Sequence, residues 1–210
     1  MQAGGICPVS GQKELDRIQE TARHSGLPPA LECLLEGRDR FGPAGYGMRP
    51  DGQDGRSSAA GPAVVRRCAV PGGAVLVIRT TSAGGPGVDQ DGLLRARLGL
   101  VQGLRSACTA RLGARASAEG VLLGRQLVQG QLAAAFAAEQ EIAARLDEGA
   151  PLTKGDRKCL HAGLTLAGRS LLRLYGAASY LTDGPGATIH CSELLADVYA
   201  DVHPAAGDLG

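Results

Sequence analysis

Tryptophan is absent from the 210 residues, phenylalanine occurs twice and tyrosine four times. A β-sandwich draws its core from aromatic and β-branched side chains, so a chain this poor in rings points to Leu, Val and Ala packed between close helices. Lysine is scarce too, confined to Lys13, Lys154 and Lys158. The remaining cations are arginines, which with abundant Ala and Gly is the composition expected of a GC-rich bacterial gene. Neither sign of charge is in excess: 22 basic and 21 acidic side chains leave a formal net charge of +1. That balance lacks the basic surplus a nucleic-acid partner would call for. No apolar run approaches the roughly 18 to 20 residues of a membrane span. The first residues have neither the basic start nor the apolar stretch of a secretory signal, and the expectation is a soluble cytoplasmic protein. Apolar residues make up 44 %, enough for a core, and the length suits one domain or one domain with a small appendage.

Six cysteines, at 7, 33, 68, 108, 159 and 191, stand singly along the chain. They read as small buried hydrophobes before they read as disulfides. Cys159, His161, His190 and Cys191 have the composition of a metal site, but their C-x-H and H-C spacings match no zinc finger or ribbon, so no metal is expected.

Residues 1–37 predict a helical segment. Ser10 can cap a helix through Ile18 and Ala22 that ends at Gly26, and a second short helix covers roughly 29–36. Residues 38–62, rich in Gly, Pro, Asp and Ser and without periodicity, read as a linker or flap. Residues 63–88 hold the strongest strand signals, Ala63–Val70 and Ala74–Thr80, joined by Pro71-Gly72-Gly73 as a hairpin that must lean on helices or on another chain. Residues 89–210 read as helices with four apolar faces. The first carries Leu93, Ala96, Leu100, Leu104, Ala107, Cys108 and Leu112, with Gly99 and Gly103 spaced to admit a neighbouring backbone. The second carries Val128, Leu132, Ala135, Phe136, Ile142, Ala143 and Leu146. Leu160, Leu164, Ala167, Leu171 and Leu174 form the third, entered through Thr153 and Asp156 as caps. Ile189, Leu194, Leu195, Val198 and Val202 form the fourth. Four such segments with short connections predict a mainly α protein, an antiparallel four-helix bundle preceded by a short β-hairpin.

Four stretches, in this order and spacing, resemble the C-terminal domain of the acyl-CoA dehydrogenases over roughly residues 64–205. Arg66-Arg-Cys-Ala-Val-Pro-Gly-Gly-Ala-Val-Leu76 is similar to the family's "VRVP…VL" exit from its β-domain. Arg97-Leu-Gly-Leu-Val-Gln-Gly103 is similar to the opening of its first bundle helix. Gln126-Leu-Val-Gln-Gly-Gln-Leu-Ala133, continuing to Ile142-Ala-Ala-Arg145, resembles "Q.VQ..LA…I.AAR". Tyr175-Gly-Ala-Ala-Ser-Tyr-Leu-Thr-Asp-Gly-Pro185 has the length and end points of "HGGxGYTxxxP".

The resemblance implies FAD at a subunit interface and a carboxylate that takes the α-proton of an acyl thioester. FAD contacts would fall to Arg173, Tyr175, Gly176 and Ala177, with Arg115 or Arg125 at the phosphates. The phosphate loop, however, reads Ala116-Ser-Ala-Glu-Gly-Val-Leu-Leu-Gly124, shorter than the family's and without its Phe. The stretch matching the family's catalytic Glu is Val202-His-Pro-Ala-Ala-Gly207, so Asp201, His203 and Glu119 are the remaining candidates for the base. The family's chain is nearly twice as long. Two readings follow. One is a truncated member of a flavin-dependent system that oxidises acyl thioesters of CoA or a carrier protein, as a homo-oligomer or with a longer acyl-CoA-dehydrogenase-like partner. The other is a flavin-free bundle that binds an acyl or polyketide-like intermediate, for a cyclisation or isomerisation or as a non-catalytic partner. For the latter, Tyr175, Tyr180, His190 and Glu193 are the groups able to polarise a carbonyl or move a proton. The sequence carries no phosphate-binding loop, dinucleotide fingerprint or nucleophile elbow.

Overall fold

Gly99 and Gly103 of the central helix decide how the N-terminal part docks. A computed structural model describes residues 9–36, 41–52, 62–80, 88–118, 120–181 and 184–200. In it α1 (Val9–Ser25) lies along α3 (Gln90–Gly113). A Cβ at Gly99 would stand 2.2 Å from the Gln19 carbonyl oxygen, and one at Gly103 would stand 2.7 Å from that of Arg23. Only hydrogen fits there, so the pair expected to admit a neighbouring backbone admits that of α1.

α2 (Leu27–Leu35) begins two residues earlier than predicted, because Pro28 and Pro29 occupy its first turn, where a missing N–H costs nothing. The expected hairpin is β2 (Ala63–Val70) and β3 (Gly73–Arg79), with a register shift between Val64 and Arg66. Within the stretch read as a linker, Tyr46–Pro50 forms β1, antiparallel to β3, so the sheet has the order β1-β3-β2. The strand escapes sequence reading because its pattern is only five residues long and contains Gly47 and Pro50. It is secured from outside the sheet: the Tyr199 hydroxyl accepts the Met48 N–H at 2.7 Å and donates to the Met48 carbonyl at 3.3 Å.

α4 (Gln126–Asp147), α5 (Lys154–Tyr175) and α6 (Pro185–Tyr199) follow α3. A two-residue ladder, β4 (Ala116–Ser117) with β5 (Gly120–Val121), turns the chain between α3 and α4. The α5 entry is the predicted capping box: Thr153 Oγ1 accepts the Asp156 N–H, and the Asp156 carboxylate accepts the Thr153 N–H. Contacts at successive levels of α3 (Arg95 to Asp147, Arg105 to Glu139, Cys108 to Leu171, Arg97 to Ser192) make α3 to α6 alternate in direction.

The chain is thus mainly helical with a small antiparallel sheet, but α3 is not one wall of a self-contained bundle. It runs between two cores. Leu93, Ala96 and Leu100 enter one, shared with α1, α2, the sheet and α6. Leu94, Leu98, Val101 and Leu104 enter the other, shared with α4 and α5. A single buried stripe was expected, and two are present. Phe136, placed on a buried face by its spacing, is 46 % exposed under the Arg105 guanidinium, while Ala135, Glu139 and Ile142 turn inward. Cys68, Cys108 and Cys191 are buried as expected; Cys159 is exposed and Cys33 half-buried.

Among the described residues Arg97 is the largest fully buried side chain, 1 % exposed, and makes no ion pair with a described carboxylate. It donates to His161 Nδ1 at 2.8 Å, the His161 carbonyl at 3.3 Å, Thr165 Oγ1 at 2.8 Å and Ser192 Oγ at 3.2 Å. Burial pulls its pKa down to about 10, and the carboxylates of Glu193 and Asp197 oppose that shift from α6.

Two outcomes test this architecture. Gly99→Val is expected to lower unfolding free energy by about 2 to 4 kcal/mol in urea titration. Gly11→Ala, in open space on α1, is expected to stay within about 1 kcal/mol on the stabilising side. For Arg97, the folded chain releases near pH 10 a proton that the unfolded chain keeps to higher pH, so the fold gains stability from this group as pH rises above about 10. The difference between wild type and Arg97→Met is therefore expected to be flat from pH 7.5 to 9 and to move toward wild type by on the order of 1 kcal/mol between pH 10 and 11. A difference that stays flat to pH 11.5 contradicts it.

Candidate functional site

A cleft of about 370 Å³ opens where the end of α1, the β2–β3 turn, the middle of α3, the end of α5 and the start of α6 meet. Two turns form one wall. The chain reverses after α1 at Gly26 (φ 84°) and between the strands at Gly72 (φ 83°), both in the left-handed region that favours glycine. The two turns lie against each other, Gly26 facing the Pro71 carbonyl and Gly72 facing that of Ser25. The floor is apolar: Leu100, Leu104 and Ala107 of α3, with Ile189 of α6.

The rim is polar, with His24, Ser25, Thr188 and Tyr175. Tyr175, the last residue of α5, is held in place by Arg111, whose Nε donates to the Tyr175 carbonyl at 3.3 Å and whose guanidinium lies 4.9 Å from the ring centroid. The His24 ring is 3.1 Å from Glu20 on the outer side of α1. Such a hollow suits the apolar end of a small molecule, with hydroxyl donors and basic side chains at its mouth. Among the described residues that line it there is no carboxylate to serve as a base.

Of the candidate cofactor and catalytic residues that are described, Tyr175 alone lines this cleft. Arg173, two positions earlier and so on the opposite side of the helix, lines a groove between α4 and α5. Gly176 ends α5 with φ 79°, and its N–H is used by the Leu172 carbonyl. Ala177 begins the short helical turn Ala177–Tyr180, in which the Ser179 N–H bonds the Gly176 carbonyl. The later glycines of this stretch have a packing role: a Cβ on Gly184 or Gly186 would lie 2.7 or 2.4 Å from the Ser179 carbonyl oxygen. Arg115 and Arg125 flank the small ladder between α3 and α4, and both are exposed. Asp201, His203 and Glu119 lie outside the described residues.

These positions share one end of the α3–α6 group, but Arg173 and Tyr175 face different grooves, and the turn spends amides on itself. Within one chain they do not converge on a dinucleotide, so the residues present do not fit FAD. Tyr180 is 83 % exposed. His190 is exposed, 3.4 Å from Arg66, and Glu193 is held by Arg169 through two contacts of 2.8 Å. Cys159, His161, His190 and Cys191 stand in four separate surroundings: an open groove, the underside of Arg97, the surface beside Arg66, and the buried thiol of Cys68. Among the described residues no three His, Cys, Asp or Glu side chains gather closely enough for a metal ion. No described helix is long and apolar enough to cross a membrane.

Sequence reading missed the cleft because its walls come from segments treated as separate, the N-terminal helix and the hairpin. The Gly99/Gly103 pair was the signal that something would lie there. Arg97, whose pKa burial lowers to about 10, is sealed between α3, α5 and α6.

No protein-family model matches the sequence, and no curated protein matches it. Among solved structures the chain is similar to a variant of Tcur3481-Tcur3483, a steroid acyl-CoA dehydrogenase, with a TM-score of 0.47 and 14 % identity. The match covers 65 % of this chain and 44 % of that one, so the chain spans less than half of that neighbour's length.

Proposed function

We propose that this chain binds a small acyl-type ligand in the cleft between α1, α3 and α6, without holding flavin by itself. The observation that carries the reading is the apolar floor of Leu100, Leu104 and Ile189 beneath a rim of Tyr175, Thr188 and His24. A volume of about 370 Å³ lies at the small end of the range for ligand pockets, roughly 300 to 1,000 Å³. It suits an acyl chain and its carbonyl rather than a whole dinucleotide. Burying each methylene contributes about 0.8 kcal/mol, so length selects the ligand until the floor is filled. At the mouth, the Tyr175 and Thr188 hydroxyls donate to the carbonyl. The role is binding, in line with the flavin-free alternative.

A second reading has one observation in its favour. β2 is an edge strand, and Val64 and Val65 on it are 54 % and 56 % exposed, which suits continuation by another chain. On that reading a longer acyl-CoA-dehydrogenase-like partner supplies flavin and base.

Calorimetric titration with decanoate is expected to show saturable binding. Ala107→Phe, which fills the floor from an exposed position on α3, is expected to weaken it at least about tenfold while leaving the circular dichroism unchanged. Absence of saturable binding, or equal binding by the variant, rejects the acyl reading. A flavin band near 450 nm that stays with the chain alone through gel filtration rejects its flavin-free part.

A further inference from the structure

Two cysteines far apart in the sequence meet inside the core shared by α1, α2, the sheet and α6. Cys68 lies on β2 and Cys191 on the second turn of α6, and both belong to that apolar cluster. Cys191 is fully buried and Cys68 is 8 % exposed. Both thiols are reduced, and they share a hydrogen bond across the β2–α6 contact. Arg66, two residues earlier on the same face of β2, reaches the His190 ring at 3.4 Å, so strand and helix are drawn together beside the thiols as well.

Burial pushes the Cys191 thiol up to about 12; the neighbouring Cys68 adds to the shift and Arg66 opposes it. Cys191 therefore stays protonated and donates to the Cys68 sulfur, which leaves Cys68, the more open of the two, as the attacking sulfur. β2 can supply the movement a disulfide needs. It is an edge strand, bonded on one side only, and its register with β3 already shifts between Val64 and Arg66. Closing the pair draws the sulfurs from hydrogen-bond contact to about 2.05 Å.

We propose that Cys68 and Cys191 form an oxidisable pair, converted by hydrogen peroxide into a disulfide that ties β2 to α6. The Cys68 thiolate attacks one peroxide oxygen, the O–O bond breaks, and the leaving hydroxide takes a proton to become water, so that Cys68 becomes a sulfenic acid. The Cys191 sulfur then attacks the sulfenic sulfur. The S–O bond breaks, and the hydroxyl departs as water with the Cys191 proton. In sum two thiols lose two hydrogens, and one peroxide gives two waters. Burial selects the oxidant: a pair this enclosed admits a molecule little larger than water, whereas a bulky disulfide such as oxidised glutathione cannot reach either sulfur. The bond joins two walls of the cleft, since Cys68 leads into the Pro71–Gly72 turn and Cys191 follows Thr188 and Ile189. It forms whether or not the cleft holds a ligand.

Peptide mapping of the full chain tests the pair. The protein is treated with hydrogen peroxide at pH 8, its remaining thiols are alkylated in denaturant, and it is digested with trypsin. Residues 68–79 and 174–210 are expected as one linked species, two hydrogens lighter than the separate peptides, which dithiothreitol splits. The closed loop holds about 120 residues, so the oxidised chain is expected to unfold at least about 5 °C above the reduced one in a thermal scan. Cys191→Ala is expected to lose the linked species and the rise in unfolding temperature, and to leave Cys68 as a sulfenic acid that dimedone traps. The proposal is overturned if both peptides still carry free thiols once the exposed Cys159 has been oxidised. Either cysteine linked to a different one, or a linked chain that unfolds no higher than the reduced chain, overturns it too.

Discussion

The contact on which the rest depends is the seating of two α1 carbonyls, those of Gln19 and Arg23, on the bare backbone of α3 at Gly99 and Gly103. A methyl group at either position would push the helices apart. Because they touch backbone to backbone, Gln19 reaches both Arg95 and Gln102, and Ile18 and Ala22 enter the core shared with α2 and the sheet. The same closeness places Ser25 and Gly26 against the Pro71–Gly72 turn. The cleft opens just beyond the last point of contact, where α1 ends and α3 continues to Ala107 and Arg111.

Three charged side chains then tie α3 to its other neighbours. Arg95 reaches Asp147 on α4 and Gln19 on α1. Arg97 bonds His161 and Thr165 on α5 and Ser192 on α6. Arg105 holds Glu139, which is wholly buried; burial pushes that carboxyl up, and the Arg105 guanidinium opposes the shift. Burying such groups is costly, and a buried ion pair is weak support for stability in itself. Their effect is on register: sliding α4, α5 or α6 by one turn would leave a buried cation or carboxylate without its partners. The apolar core, made of Leu, Val and Ala with few rings, has too little shape of its own to enforce that choice.

Much of the framework was legible in the residues. The long helices carried clear periodicity, Thr153 and Asp156 announced the start of α5, and Pro71-Gly72 marked the hairpin. The double burial of α3 was not legible, because a helix between two cores has apolar residues on adjacent stripes and its pattern merges into one broad face. The burial of Arg95 and Arg97 was not legible either, since nothing local shows that their partners come from positions 147 and 161. Phe136 failed for the opposite reason: its size suggested burial, but the helix turned alanine inward and left the ring under Arg105. At the cleft, Tyr175 was singled out through its motif, as a flavin contact, whereas His24 and Thr188 belong to segments that meet it only after α1 has docked.

The bond between Tyr199 and Met48 spans 151 residues of sequence. β1 is too short to hold its place by ladder hydrogen bonds alone, and the core beneath it takes Cys191, Leu195 and Tyr199 from α6. During synthesis, therefore, the sheet and α2 wait with an uncovered apolar face until α6 has left the ribosome. At ordinary elongation rates that interval is on the order of 10 to 30 seconds, the period in which this chain most needs a chaperone.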